Sequence, residues 1–229
     1  MSLLPHEFWQ TVYPAGSFPE PSGGSRDIFP ARLPDGRQIA LPIRVLPGDG
    51  ASAVASLIVN QASFAVVDAL CDAMTEAARA FAPDVVIGMP TLGLPLAEGV
   101  ARRLGHARMV ALGTSRKFWY RDDLSEPLRS ITSPDHGKTL FLDPRMLPVL
   151  DGRRVLLVDD VVSSGASAAS ALRLLAKAGI RPVAMAVAMK QGVRWTVPVA
   201  EAAPGLDIIS AIASPRLSRG TDGLWRAAG

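Results

Sequence analysis

The chain of 229 residues has a single cysteine, Cys71, and three histidines, His6, His106 and His136. One cysteine excludes an intramolecular disulfide and any zinc site built on paired cysteines. The histidines are scattered, so no metal cage can be read from their spacing. Lysine is scarce: of 24 Lys plus Arg, only Lys117, Lys138, Lys177 and Lys190 are lysines. Charge of one sign is also lacking. Against 21 Asp plus Glu the net charge is +3, which excludes a polycation and leaves a thin electrostatic footprint for nucleic acid or an anionic membrane. No run of 18 uncharged apolar residues occurs, so no transmembrane helix is expected. The opening residues, Met1 to Gln10, lack a basic segment followed by a long apolar core. No signal peptide is therefore expected, and a cytoplasmic protein without a membrane partner is the default.

What is present is globular in character. Hydrophobic residues make up 48% and charged residues 20%, enough to fill a core without staples. No internal repeat and no linker stand out, so the reading is a single domain over residues 1–229 with its core at about 60–190. The first 50 residues are dense in breakers, among them Pro14, Pro19, Pro21, Pro30, Pro34, Pro42 and Pro47, and no regular helix is expected there. Gln38 to Leu46 reads as an edge strand, because its internal Pro42 cannot donate to a ladder.

From Ser63 to Phe81 apolar residues recur every three or four positions, as on an amphipathic helix. Cys71 lies on that stripe and reads as core filler. An alternation follows: a strand at Asp84 to Met89, a turn over 90–95, a helix from Leu96 to Leu104, and a strand at Arg108 to Leu112. Residues 114–142 show no helical period and read as a long excursion or a hairpin flanked by Phe118–Tyr120 and Thr139–Leu142. A strand at Arg154 to Val158, a helix from Ala166 to Ala178 and strands at Pro182 to Met189 and Leu206 to Ala211 complete the pattern. Strand–helix–strand alternation with apolar strands means an α/β protein with a mainly parallel sheet flanked by helices.

Chemistry concentrates in residues 155–167. An apolar strand delivers Asp159 and Asp160, then Val161 and Val162, into a small-residue loop, Ser163-Ser164-Gly165-Ala166-Ser167, that opens into a helix. Ligands bind at that edge of a parallel sheet. Backbone N–H groups, hydroxyls and a helix N-terminus together suit a phosphate. The carboxylates are poor phosphate ligands and suit sugar hydroxyls or a phosphate-held metal. The plain alternative is a capped helix beside a solvated acidic pair.

This combination resembles the phosphoribosyl-diphosphate (PRPP) motif of type I phosphoribosyltransferases, purine-type, adenine- or xanthine-like. The resemblance spans roughly residues 65–195. It implies the type I fold, a parallel sheet flanked by helices with a small hood from the terminal segments. In that family an earlier loop meets pyrophosphate and often holds a non-proline cis peptide. Pro90-Thr91-Leu92-Gly93-Leu94 occupies its place, with Thr91, Leu92 and Gly93 as the contact residues, although Pro90 stands where relatives often carry an acid. Residues 114–138 match the family's closing loop, and Arg116-Lys117 its basic pair. Lys190-Gln191-Gly192 is similar to the base-recognition segment, with Lys190 for an exocyclic oxygen and Trp195 as a stacking candidate; Trp225 is a weaker one. Ser163 stands where hypoxanthine-guanine members usually carry an Asp, which leans towards adenine-, xanthine- or orotate-like relatives.

The resemblance implies an enzyme that moves the 5-phosphoribosyl group from PRPP to a nucleobase, a purine by preference, and releases pyrophosphate. Mg²⁺ would arrive through PRPP near Asp159 and Asp160, with no direct protein metal site. A homodimer is implied, and no nucleic acid partner. The alternative is a non-catalytic regulator that senses PRPP.

Overall fold

The computed structural model describes residues 3–128 and 138–228. Two sheets divide the chain. The first is parallel throughout, in the order β11-β10-β9-β5-β6. Its strands are β5 (Val85–Gly88), β6 (Val110–Ala111), β9 (Val155–Val162), β10 (Ala184–Gln191) and β11 (Ile208–Ser214). The interior strands β9 and β10 open on continuous apolar runs, Val155–Val158 and Ala184–Met189, because both faces are covered there. Helices α1 (Phe64–Arg79) and α2 (Gly93–Arg103) pack in one hydrophobic cluster, and α4 (Ala166–Lys177) and α5 (Thr196–Ala202) in the other; the single turn α3 (Leu147–Leu150) joins the latter. The α/β expectation holds.

The second sheet is antiparallel and built from the two ends of the chain: β1 (Val12–Tyr13), β2 (Ile28–Arg32), β3 (Gln38–Val45), β4 (Ser52–Ala55), β12 (Arg216–Arg219) and β13 (Trp225–Ala227). Its residues Phe29, Ile39, Leu41, Ala53 and Ala55 share one cluster with α1, α2 and the parallel sheet. The edge-strand expectation for residues 38–46 is overturned, since β3 lies inside this sheet with partners β1, β2 and β4. Its Pro42 is tolerated because it stands at a handover: pairing with β2 ends at Pro42 and pairing with β4 begins at Ile43. A missing N–H costs least at such a point.

Several boundaries move as well. Helix α1 is capped by Ser63, whose Oγ accepts from the Val66 N–H at 3.3 Å, and Phe64 behind the cap is 89% exposed, off the apolar face. Helix α2 begins at Gly93, not Leu96, because Pro95 falls within its first turn, where a proline is accommodated. Strands β9 and β10 run further than their apolar stretches, to Val162 and Gln191. The 114–142 excursion carries an antiparallel pair, β7 (Ser125–Leu128) and β8 (Lys138–Phe141). The remainder of the expected closing loop, residues 129–137, lies outside the described residues. Among the described residues no helix is long and apolar enough to cross a membrane.

Cys71 is fully buried, and burial pushes its thiol up to about 11, so it packs and does not react. Its Sγ lies where the two helices meet: a Cβ placed on Gly99 of α2 would stand 2.5 Å from it. Gly99→Ala should therefore lower the melting temperature, with an overpacking cost of about 1–3 kcal/mol. Cys71→Ala in the same chain should restore most of it, and a thermal double-mutant cycle measures that coupling. Additive effects would mean that the helices already have room.

Candidate functional site

Strand β9 carries the acidic pair into the edge where the sheet's C-terminal ends meet the loops. Asp159 is 7% exposed, and its Oδ1 accepts the Asp160 N–H at 2.9 Å. Asp160 is half-buried. Burial pushes both carboxyls above the ordinary aspartate range, and the neighbouring Asp160 charge raises Asp159 further. Among the described residues neither carboxylate has a basic side-chain partner. A buried acidic pair without a cation is poorly satisfied by the protein alone.

The loop before α2 presses against this pair. A Cβ on Gly93 would lie 2.8 Å from Asp159 Cα, 2.9 Å from its Oδ1 and 3.0 Å from the Val158 carbonyl, so only glycine fits. The Pro90–Thr91 peptide is cis. Thr91 is exposed, Leu92 half-buried and Gly93 buried. The segments 90–93 and 159–160, distant in sequence, are thus in contact.

Past Val161, which is half-buried, and Val162, which is buried in the second cluster, the chain turns through Ser163 to Ser167 into α4. Gly165 precedes the helix with φ +81, a conformation glycine adopts freely. A Cβ there would stand 2.9 Å from both Cα and O of Trp195. The loop is therefore held against the segment that follows β10. The Ala166 N–H donates to Ser164 Oγ at 3.4 Å.

Ser163, Ser164, Ala166 and Ser167 form one wall of a cavity of about 1010 Å³. The opposite walls come from Lys190 and Gln191 at the end of β10, from Arg194 and Trp195 just after it, and from the antiparallel sheet through Arg216 of β12, Val54 of β4 and Leu46 beside β3. Among the described residues its charged lining is all cationic: Lys190, Arg194 and Arg216. Lys190 is on β10 rather than after it, and its Nζ lies 5.6 Å from the Trp195 ring centroid. The Trp195 Nε1–H donates to the Gly192 carbonyl at 2.9 Å, which fixes the indole in the wall. Trp225 is no stacking candidate, because it is buried in the first cluster at 6% exposure. Asp159, Asp160 and Thr91 lie outside the cavity wall.

Arg116 and Lys117 are exposed on the segment between β6 and β7, and neither lines the cavity. Arg116 is ion-paired with Asp122. The aromatics beside them divide. Trp119 donates to Asp143 Oδ2 at 3.2 Å under the Arg145 guanidinium, and Tyr120 packs on Phe141, while Phe118 is 96% exposed. The β7–β8 pair is tied to α4 through buried Glu126, which accepts from Arg173 Nε and Lys177 Nζ, each at 2.7 Å. Sequence reasoning missed Arg194, Arg216 and the walls supplied by Leu46 and Val54, and it quoted Gln191 within the base-recognition segment without giving it a role of its own. Only the charge of the two arginines was visible in advance.

Residues 55–218 match the family model described as the phosphoribosyl transferase domain. The adenine phosphoribosyltransferase of Frankia casuarinae is 35% identical over 144 residues, 63% of this chain and 71% of that protein. The adenine phosphoribosyltransferase of Rhodococcus jostii is 35% identical over 126 residues, 55% of this chain and 64% of that protein. Among solved structures, the APRTase of Giardia lamblia complexed with 9-deazaadenine aligns with a TM-score of 0.59 at 22% identity, over 75% of this chain and 93% of that one. That likeness is one of fold. The motif strand, its loop and the cis-peptide turn all lie within the matched span, and the chain belongs to the type I phosphoribosyltransferase family, a class of glycosyltransferase enzymes.

Proposed function

We propose that the protein transfers the 5-phosphoribosyl group from PRPP to a ring nitrogen of a purine, adenine first among candidates, and releases pyrophosphate. The observation that carries this reading is the small-residue loop 163–167, which stands as a wall of the 1010 Å³ cavity and follows the acidic pair after Val161 and Val162. The relatives named adenine phosphoribosyltransferase support the choice of base.

In this reading Ser163, Ser164, Gly165, Ala166 and Ser167 hold the 5′-phosphate with N–H and hydroxyl donors at the start of α4. Asp159 and Asp160 accept from the ribose hydroxyls. Thr91, Leu92 and Gly93 face the pyrophosphate, and Arg116 and Lys117 exchange solvent and Asp122 for its developing charge. Lys190 and Trp195 meet the base. The carboxylates of Asp159 and Asp160, which have no basic side-chain partner among the described residues, also fit a hard cation. A Mg²⁺ bound through PRPP would be held beside them and would offset charge on the leaving group. The transition state asks for positioning and charge stabilisation, so the chain needs no nucleophile of its own. A cytoplasmic homodimer belongs to this reading, with exposed Phe118 available to a second copy, and sedimentation tests it.

Pyrophosphate release from PRPP and Mg²⁺ should be measured with adenine, xanthine, hypoxanthine, guanine, uracil and orotate. Release should occur with a purine, and adenine should give the largest rate. PRPP binding without release for any base would favour the sensing regulator instead.

A further inference from the structure

One side chain of the parallel sheet bonds both the small-residue loop and the antiparallel sheet. The Gln191 Nε2–H donates to the Ala55 carbonyl of β4 at 2.7 Å, and its Oε1 accepts the Ser163 hydroxyl proton at 2.9 Å. The orientation of the amide is forced, because a carbonyl can only accept and Nε2 must therefore face Ala55. Gln191 is half-buried and, like Ser163, lines the cavity. Among the described residues no other side chain of the parallel sheet hydrogen-bonds to the antiparallel one.

A serine hydroxyl has one proton to give. Ser163 gives it to Gln191 here, and Ser163 opens the loop assigned above to the 5′-phosphate. A phosphate is an acceptor only, and an O–H bond to it is charge-assisted and about twice as strong as one to a neutral amide. A phosphate in the loop should therefore take the proton. Gln191 Oε1 then loses its donor while the bond to Ala55 holds it in the cavity wall. An N–H group of a heterocycle in the cavity is the partner that restores it.

We propose that Gln191 couples the two substrate sites: phosphate occupancy withdraws the Ser163 proton, and the freed Gln191 Oε1 receives an N–H of the acceptor base. This rests on the proposed assignment of loop and cavity. Linkage makes the coupling reciprocal, so the base must tighten phosphate binding by the same factor. Once withdrawn, the proton plays no part in bond making; the step only exchanges hydrogen-bond partners.

The test is calorimetric titration of the base that gives the largest pyrophosphate release, with and without saturating ribose 5-phosphate. That sugar carries the 5′-phosphate but has no leaving group, so nothing turns over. In the wild type, ribose 5-phosphate should tighten the base by about tenfold, within the usual range of coupling between sites. Two variants should both lose the coupling but from opposite sides. Ser163→Ala removes the competing donor, so the base should bind without ribose 5-phosphate about as tightly as it binds the loaded wild type. Gln191→Met keeps the length and removes the acceptor, so binding should be weak in both conditions. A purely structural role for Ser163 would never strengthen base binding, and its exposed hydroxyl makes Ser163→Ala a safe variant to fold. Unchanged or weaker base binding by Ser163→Ala, or a wild type without coupling, would overturn the proposal. Failure of ribose 5-phosphate to bind the wild type would instead overturn the loop assignment beneath it.

Discussion

Asp159→Asn is expected to raise the melting temperature of the ligand-free protein and to cut turnover about tenfold to a hundredfold. The two effects have one cause. Asp159 is buried next to Asp160 without a basic partner among the described residues, so the folded state holds its charged form at a disadvantage. Asparagine keeps the shape and the oxygen that accepts the Asp160 N–H, and it removes the like-charge cost. In the proposed reaction the same charge binds ribose hydroxyls. A hydrogen bond to a charged group contributes about 1.5–3 kcal/mol, and each 1.36 kcal/mol is about a factor of ten in rate. Stability and activity thus pull against each other at this position, as they often do in a site.

The pH dependence follows with a definite sign. Asp159 has a raised value in the fold, so between the ordinary aspartate value and that raised value the native state binds more protons than the unfolded state. Stability of the ligand-free wild type from this group should fall as pH rises through that window. Asp143, Asp222 and Glu126 have lowered values and contribute in the opposite direction. The comparison is therefore the difference between Asp159→Asn and wild type, measured by thermal melts across pH. The advantage of the variant should grow from acid towards neutral. A variant that is less stable than wild type at neutral pH would show that Asp159 is held by favourable contacts.

Gly165→Ala is expected to reduce PRPP affinity at least about tenfold. A left-handed backbone costs an alanine roughly 1–2 kcal/mol, and at Gly165 the new Cβ would also meet the Trp195 backbone at 2.9 Å. The loop must then move off the segment after β10, and its donors lose their common focus. Gly152→Ala is the control. Gly152 has φ +66 but open space around its missing Cβ, so it should show the backbone cost in a thermal melt and leave PRPP titration unchanged. Equal affinity loss in both variants would mean that global destabilisation, not loop geometry, is being read.

The parts of this molecule that were legible in the sequence are the local ones. Residues 155–167 carry strand, acidic pair, loop and helix start within one short stretch, and each piece has its own residue chemistry. The helix at 64–79 announced itself by its apolar period, while its Ser63 cap emerged only in the structure. The antiparallel sheet did not, because β4 pairs with β12 across more than 150 residues of sequence, and a chain dense in Pro and Gly gives no period to read. Helix α5 was missed because it is only 7 residues long and contains Pro198. Strand β10 was ended too early because its last residues, Lys190 and Gln191, are polar; they are paired with Ala213 and Ser214 all the same. The bond from Gln191 to Ala55 spans 136 positions. Nothing local to either residue could have revealed it.

The most direct measurement is chromatographic detection of the nucleotide formed from PRPP, Mg²⁺ and adenine by the wild-type chain. The account predicts a nucleoside 5′-monophosphate in one-to-one amount with pyrophosphate, and neither product when adenine is omitted. Pyrophosphate without nucleotide, or no nucleotide with any of the six bases, would contradict it.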